Sequence, residues 1–144
     1  MKRLHLHMSV PELEPAISFY TTLFGSAPTV VKPDYAKWLL DDPCVNLAIS
    51  ARGRVNGVDH VGIQVDTSQA LGDLAARLKE AGETTFDQEA TTCCYARSDK
   101  SWVTDPAGVR WETFLTHGEA TSYGEDPVLS STPTNACCGP QAHC

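Results

Sequence analysis

The chain predicts an α+β fold: two tandem βαβββ modules whose strands form one curved open sheet around a metal site. Three observations carry this. The pattern "HLHMSV" (5–10) returns as "HVGIQV" (60–65), and both read His, apolar, x, apolar, x, Val. Each is followed by a helix-period segment and then by short strand-period segments. The repeat distance is about 55 residues, the length of one such module.

The elements follow in order. In "RLHLHMSV" (3–10), Leu4, Leu6, Met8 and Val10 alternate with Arg3, His5, His7 and Ser9, as in a half-buried strand. "PELEPAISFYTTLFG" then places Pro11 and Pro15 at the start of a helix, where a missing N–H costs nothing. Ile17, Tyr20, Leu23 and Phe24 make its apolar stripe, and Gly25 is the stop. Strands are expected at 28–31, 36–40 and 45–50, and "ARGRVNG" reads as a linker. After the strand at 60–65, residues 66–82 form the second helix. Asp66 or Thr67 is its N-cap, Leu71, Leu74, Ala75 and Leu78 its stripe, and Gly82 its end. Strands are expected at 84–88, 93–99, 101–105 and 110–115, the last two joined by the turn "DPAG". The modules thus span 1–52 and 53–117. Residues 118–144, rich in Ser, Thr, Pro and Gly, read as a mobile tail.

Composition narrows the function classes. A net charge of −7 argues against nucleic acid and acidic membrane surfaces as partners. No apolar run approaches the ~20 residues of a membrane span, and the first ten residues lack a signal-peptide core. A cytoplasmic protein is expected. Six cysteines in that reducing compartment point to metal or redox duties rather than disulfides. Cys44, alone at the start of an apolar run, is expected in the core.

The repeat register puts His5 and His60 at the same position of the two first strands, facing away from the helix-facing set. In "VRWETFLT", Glu112 is a carboxylate amid a half-buried strand, where it needs a partner. The matching first-module strand, "CVNLAIS", supplies no equivalent donor. Two His and one Glu leave coordination positions open, a set that suits non-haem Fe(II) and also Zn²⁺, Mn²⁺ or Ni²⁺. A lone strand His is more often a hydrogen-bonded structural residue; the register and the Glu favour ligands. His7 shares the face of His5 and is the rival ligand, but His5 is the one that matches His60.

With the tandem modules, the "FYTTLFG" helix end, the paired histidines and the closing "DPAGVRWE", residues 1–116 resemble the vicinal oxygen chelate superfamily of glyoxalases, extradiol dioxygenases and antibiotic-resistance proteins. "TTCCYARSDKSWVTDPAGVRWE" and "KPDYAKWLL" are most similar to its cadmium-inducible and organoarsenical-lyase branch. The resemblance implies an Fe(II)- and O₂-dependent dioxygenase that cleaves the carbon–arsenic bond of trivalent methyl- or arylarsenicals. Other divalent metals such as Ni, Co, Zn or Mn are expected to substitute for Fe(II). It implies His5, His60 and Glu112 as metal ligands and Cys93 and Cys94 as arsenic-binding thiols, in a monomer or homodimer.

Thiolates are the soft ligands that trivalent arsenic prefers, and two thiols fill the two exchangeable positions of a monoorganoarsenical. Adjacent strand residues point to opposite faces, so Cys93 and Cys94 can share one arsenic only where the backbone bends. "EATTCC" is therefore expected to be a flexible loop that closes over the metal. The rival readings of the pair are packing residues or a vicinal disulfide. Cys137, Cys138 and Cys144 in the tail suit metalloid capture or are incidental. The alternative functions are a soft-metal sequestering protein without turnover and a thiol transferase of the fosfomycin-resistance type.

Overall fold

A computed structural model describes residues 1–124. The elements run β1 (Arg3–Ser9), α1 (Leu13–Phe24), β2 (Val30–Lys32), β3 (Tyr35–Asp41), β4 (Cys44–Ser50), β5 (Gly57–Val65), α2 (Ser68–Glu80), β6 (Phe86–Cys93), β7 (Ala96–Thr104) and β8 (Arg110–Glu119). All eight strands join one curved mixed sheet in the order β2-β3-β4-β1-β5-β8-β7-β6. The order is palindromic. Each half is a βαβββ unit whose first strand lies at the centre, and β1 and β5 meet antiparallel along a seam.

Both helices form where the periodicity places them. Gly25 ends α1 in the left-handed conformation (φ 64°), which glycine adopts without steric cost. Thr67 caps α2 by accepting from the Ala70 backbone N–H at 3.1 Å. Leu13, Ile17, Tyr20 and Phe24 pack α1 against Trp38, Leu47 and Ile49. Trp38 is fully buried, and truncating such an anchor to Ala costs about 3–5 kcal/mol. No residue of either helix is itself fully buried.

The most enclosed surface is instead the polar face of the first strand. His5, His7 and Ser9 are buried, whereas Leu4 of the alternate set is exposed. The alternation is correct, but the sheet curls around its polar side and leaves the helix side more open.

Residues 93–105 also differ from expectation. The two strands expected at 93–99 and 101–105 are one, β7, starting at Ala96. "EATTC" is the end of β6 rather than a flexible loop, because Thr91, Thr92 and Cys93 pair with Ser98, Arg97 and Ala96. β8 runs past Gly118 to Glu119, and buried Tyr123 and Gly124 return to Cys93 through a backbone bridge. Those residues are ordered parts of the sheet edge, not tail. Cys44 lies half-buried beside Arg3 and Met1, outside the core clusters. Cys137, Cys138 and Cys144 lie outside the described residues.

Candidate metal and thiol site

Three donor atoms converge at the β1–β5 seam. His5 Nε2 lies 3.3 Å from His60 Nε2 and 3.6 Å from Glu112 Oε2, and His60 Nε2 lies 3.5 Å from the same oxygen. The three side chains are buried. Strand pairing brings them together: β1 contributes His5, β5 His60, and β8, parallel to β5, Glu112. Gly62 opposes Glu112, and a Cβ there would lie 2.1 Å from the Glu112 carbonyl oxygen. Only glycine allows this approach.

The outer nitrogens define what the inner ones can do. His5 Nδ1 lies 3.0 Å from the Asn46 carbonyl oxygen, and His60 Nδ1 lies 2.7 Å from Asp59 Oδ1. A carbonyl or carboxylate only accepts, so both Nδ1 atoms donate. In the neutral imidazoles both Nε2 atoms therefore carry lone pairs, which meet each other and a carboxylate oxygen. Three lone pairs at this distance call for a cation. The donor set, two imidazole nitrogens and one carboxylate oxygen, fits a divalent transition metal.

Without a metal, a proton answers part of that demand. Burial opposes charge on His60, but Asp59 and Glu112 outweigh it and raise its pKa to about 9. Burial takes His5 down to about 3 against the pull of Glu112. Burial likewise favours protonating Glu112, yet Lys100 and the two histidines hold it ionised, below the ordinary carboxylate range. Lys100, also buried, donates directly to Glu112 Oε1, and Glu112 in turn keeps it charged. Arg54 and Arg110 donate to Asp59 at 2.8 and 2.6 Å and fix it behind His60.

His7 is buried beside this triangle. Its Nε2 is engaged with the Ser50 hydroxyl at 2.9 Å, and its Nδ1 has no hydrogen-bond partner among the described residues. Donor atoms of His5, His7 and His60 all lie within 4.8 Å, a looser cluster than the His5–His60–Glu112 triangle.

The thiols sit on the same concave face. Cys93 ends β6, and Cys94 and Tyr95 form a two-residue hairpin turn with φ 57° and 59°. Positive φ at both central positions is the hairpin geometry that matches strand twist. At non-glycine residues it is strained, as is common at functional sites. The turn supplies the required bend and brings the two Sγ atoms to 3.0 Å, which is too far apart for a disulfide bond. The neighbouring Cys93 thiol lowers the Cys94 pKa well below the usual thiol value. Burial opposes this, and His7 and Lys100 assist. Tyr35, Tyr95 and Tyr123 surround the pair with centroids 5.7–6.1 Å apart. The Tyr95 hydroxyl donates to Asp34 at 2.7 Å and ties the hairpin tip to the β2–β3 turn.

Thiols, Lys100, Glu112, His5 and His7 line one cavity of about 30 Å³, room for about one water. The opposite face holds a larger groove of about 390 Å³ under α2, bordered by Ile63, Leu74, Leu78 and Trp111. It contains none of the donors above.

Several of these residues give little signal in the sequence. Lys100 is the most legible of them, since a lysine in mid-strand beside Trp102 signals a buried cation. Asp59 directly precedes His60, but its effect depends on Arg54 and Arg110 arriving from elsewhere. Asn46 and the three tyrosines carried no signal in one dimension.

An eight-stranded sheet of two βαβββ units with this centre defines a class, and the chain belongs to the Glyoxalase/Bleomycin resistance protein/Dioxygenase superfamily, whose model matches residues 2–113. Solved structures share the fold. An extradiol ring-cleaving dioxygenase from B. fuscum superposes with a TM-score of 0.62 at 19% identity, over 82% of this chain and 33% of that one. The Mn(II)-bound glyoxalase from Novosphingobium aromaticivorans gives 0.60 at 16%, over 90% and 44%. Nearer relatives span almost the whole chain. A trivalent organoarsenical cleaving enzyme of Bacillus sp. (strain MD1) is 40% identical over 99% of this chain and 93% of its own. A namesake from Thermomonospora curvata is 38% identical over 98% and 91%. The cadmium-induced protein CadI of Mycobacterium bovis is 37% identical over 98% and 95%. No helix among the described residues is long and apolar enough to cross a membrane.

Proposed function

We propose that this protein is an Fe(II)-dependent dioxygenase that cleaves the carbon–arsenic bond of trivalent organoarsenicals. His5, His60 and Glu112 hold the iron, and Cys93 and Cys94 hold the arsenic. The observation that carries the reading is one cavity lined both by the thiol pair and by His5 and Glu112, two of the three converging donors, with His60 Nε2 3.3 Å from His5 Nε2. The organoarsenical-cleaving relatives support the substrate class. Iron held by His5, His60 and Glu112 would supply the activation of dioxygen.

The chain's own residues do the rest. The low Cys94 pKa provides a thiolate that displaces a hydroxyl from arsenic, and Cys93 follows at 3.0 Å. Two As–S bonds then fix the As–C bond beside the metal, where effective molarity replaces a bimolecular encounter. The cavity is too small for the substrate as it stands, so the hairpin tip opens by releasing Tyr95 from Asp34 and closes again to exclude water. For the methyl substrate the balance is CH₃As(OH)₂ + O₂ → As(OH)₃ + HCHO. Carbon is oxidised by four electrons, dioxygen takes all four, and arsenic stays trivalent. No external reductant is needed. The protein works in the cytoplasm, as a monomer or homodimer.

The test is anaerobic loading of reduced protein with Fe(II), addition of methylarsonous acid, and admission of air. Arsenite and formaldehyde in equal amounts, lost in Cys93→Ser/Cys94→Ser, support the reading. Tight arsenic binding without release at full iron occupancy refutes it for this substrate. The cadmium-induced relatives favour a second reading, sequestration by the thiols alone. Glu112→Ala abolishes turnover under the first reading and leaves binding intact under both.

A further inference from the structure

No step of the proposed reaction uses His7, yet its side chain is buried on the concave face, at 2% exposure. His7 Nε2 lies 2.9 Å from the Ser50 hydroxyl, which accepts as well as donates. Nε2 can therefore keep its proton and leave the lone pair on Nδ1, which has no hydrogen-bond partner among the described residues. A buried polar atom left in this way costs free energy until something meets it. The thiols are near. His7 lines the same cavity as Cys93 and Cys94, and it stands close enough to Cys94 to assist Cys93 in lowering the Cys94 pKa. Tyr35 flanks both: its ring centroid is 6.2 Å from that of His7, and it packs in one cluster with the two cysteines. Two thiols and one imidazole thus share the wall of one enclosed space.

We propose that Cys93, Cys94 and His7 form a second metal site, apart from His5, His60 and Glu112, for a thiophilic closed-shell divalent ion, Cd(II) or Zn(II). Two sulfurs and one imidazole nitrogen are a donor set that such ions accept in tetrahedral geometry, with one position left for water. Charge balance favours it. The thiol protons leave to solvent as the ion binds, and a divalent ion with two thiolates is neutral, which suits a buried place. Lys100, attracted by Glu112 and by both thiols, then remains with Glu112. Metal–sulfur bonds of about 2.3 Å at a tetrahedral angle put the sulfurs about 3.8 Å apart, so the pair, now at 3.0 Å, opens on loading. The inference needs the thiol pair and not the iron assignment. Its consequence is exclusion: thiolates engaged by the ion are not offered to arsenic, so ion and organoarsenical compete for one place.

The test titrates reduced, metal-free protein with Cd(II) alone, in a His5→Ala background that weakens the seam centre. Sulfur-to-cadmium charge transfer in the ultraviolet and competition with a chelator read the binding. His7→Gln should lower Cd(II) affinity at least about tenfold and keep the charge-transfer band, and Cys93→Ser/Cys94→Ser should abolish the band. Saturating Cd(II) should prevent retention of phenylarsenous acid after desalting. Cd(II) affinity unchanged by His7→Gln in folded protein, or arsenical retained equally with and without Cd(II), overturns the proposal. In Cys93→Ser/Cys94→Ser protein, where Co(II) finds the seam alone, adding His7→Gln should leave Co(II) affinity unchanged; a tenfold fall assigns His7 to the seam and also overturns it. If His7→Gln does not fold, X-ray absorption at the cadmium edge of His5→Ala/His60→Ala protein decides: imidazole scattering beside two sulfurs is expected, and sulfur and oxygen alone refute the site. Protein that binds Cd(II) in this way but releases no arsenite at full iron occupancy keeps the second site and loses the proposed activity.

Discussion

Replacing Lys100 by Met removes the buried charge that faces Glu112 while keeping a side chain of similar length. Both partners are buried, at 5% and 3% side-chain exposure. Breaking such a pair by removing one member costs about 3–5 kcal/mol, because the other charge is left behind in a medium that solvates it poorly. Here the lower end applies: His60, with its pKa near 9, still offers Glu112 a positive partner at neutral pH. Contacts of the Lys100 ammonium with the Trp102 and Phe114 rings, 5.7 and 5.9 Å to the centroids, are lost as well. About 3 kcal/mol in a chain of this size lowers Tm by roughly 6–12 °C. The diagnostic part is the rescue. A divalent ion on His5, His60 and Glu112 supplies the missing positive charge, so saturating Co(II) should stabilise K100M more than wild type. Urea unfolding of both proteins with and without Co(II) measures this. An unchanged metal-free stability, or equal stabilisation of the two proteins by Co(II), refutes the argument that Glu112 is held ionised by Lys100.

Other expectations follow from the same geometry. Asp59→Asn leaves His60 without its anionic anchor, and metal affinity should fall 10- to 100-fold by competitive titration while the fold, monitored by circular dichroism, persists. At pH 7 the metal-free His60 is protonated, since its pKa is about 9, and a metal must displace that proton. Apparent metal affinity should therefore rise about tenfold per pH unit and level off near pH 9. By linkage, the raised pKa stabilises the metal-free fold fully below the ordinary histidine value of about 6.5, and that contribution is lost as pH rises through 9. Titrations at several pH values check the slope, and calorimetry in buffers of different ionisation enthalpy counts the proton. Gly62→Ala should destabilise by several kcal/mol or prevent folding, because the new methyl group meets backbone rather than a side chain that can move. Its yield and urea midpoint against wild type decide.

The repeat register makes the two halves and both histidines legible in the sequence. His5 and His60 are separated in sequence but occupy one position of one module, and a duplicated pattern exposes that. Glu112 was legible for a different reason, as an acid in a strand of alternating burial. The helices were read from their stops and caps at Gly25 and Thr67, which act locally. The thiol hairpin was not legible. "EATTCC" has strand-type and loop-type features at once, and the choice was made by Ala96 and Arg97 pairing back onto Cys93 and Thr92. Lys100, Asp59 and Asn46 were invisible as a group because each acquires its role from a partner on another strand.

The β1–β5 seam has a mechanical consequence. One proposed ligand comes from the first half of the sheet and two from the second, so a bound ion is a cross-link between halves. It ties His5 to His60 across 55 positions of chain. A covalent bridge closing a loop of that length would remove about 4 kcal/mol of conformational freedom from the unfolded chain. An ion that lets go of the unfolded ligands applies the same constraint reversibly. The halves are then a clasp, fastened from within when the centre is loaded, and a chain severed in the 51–56 linker would reassemble most readily when metal is there to join its two pieces.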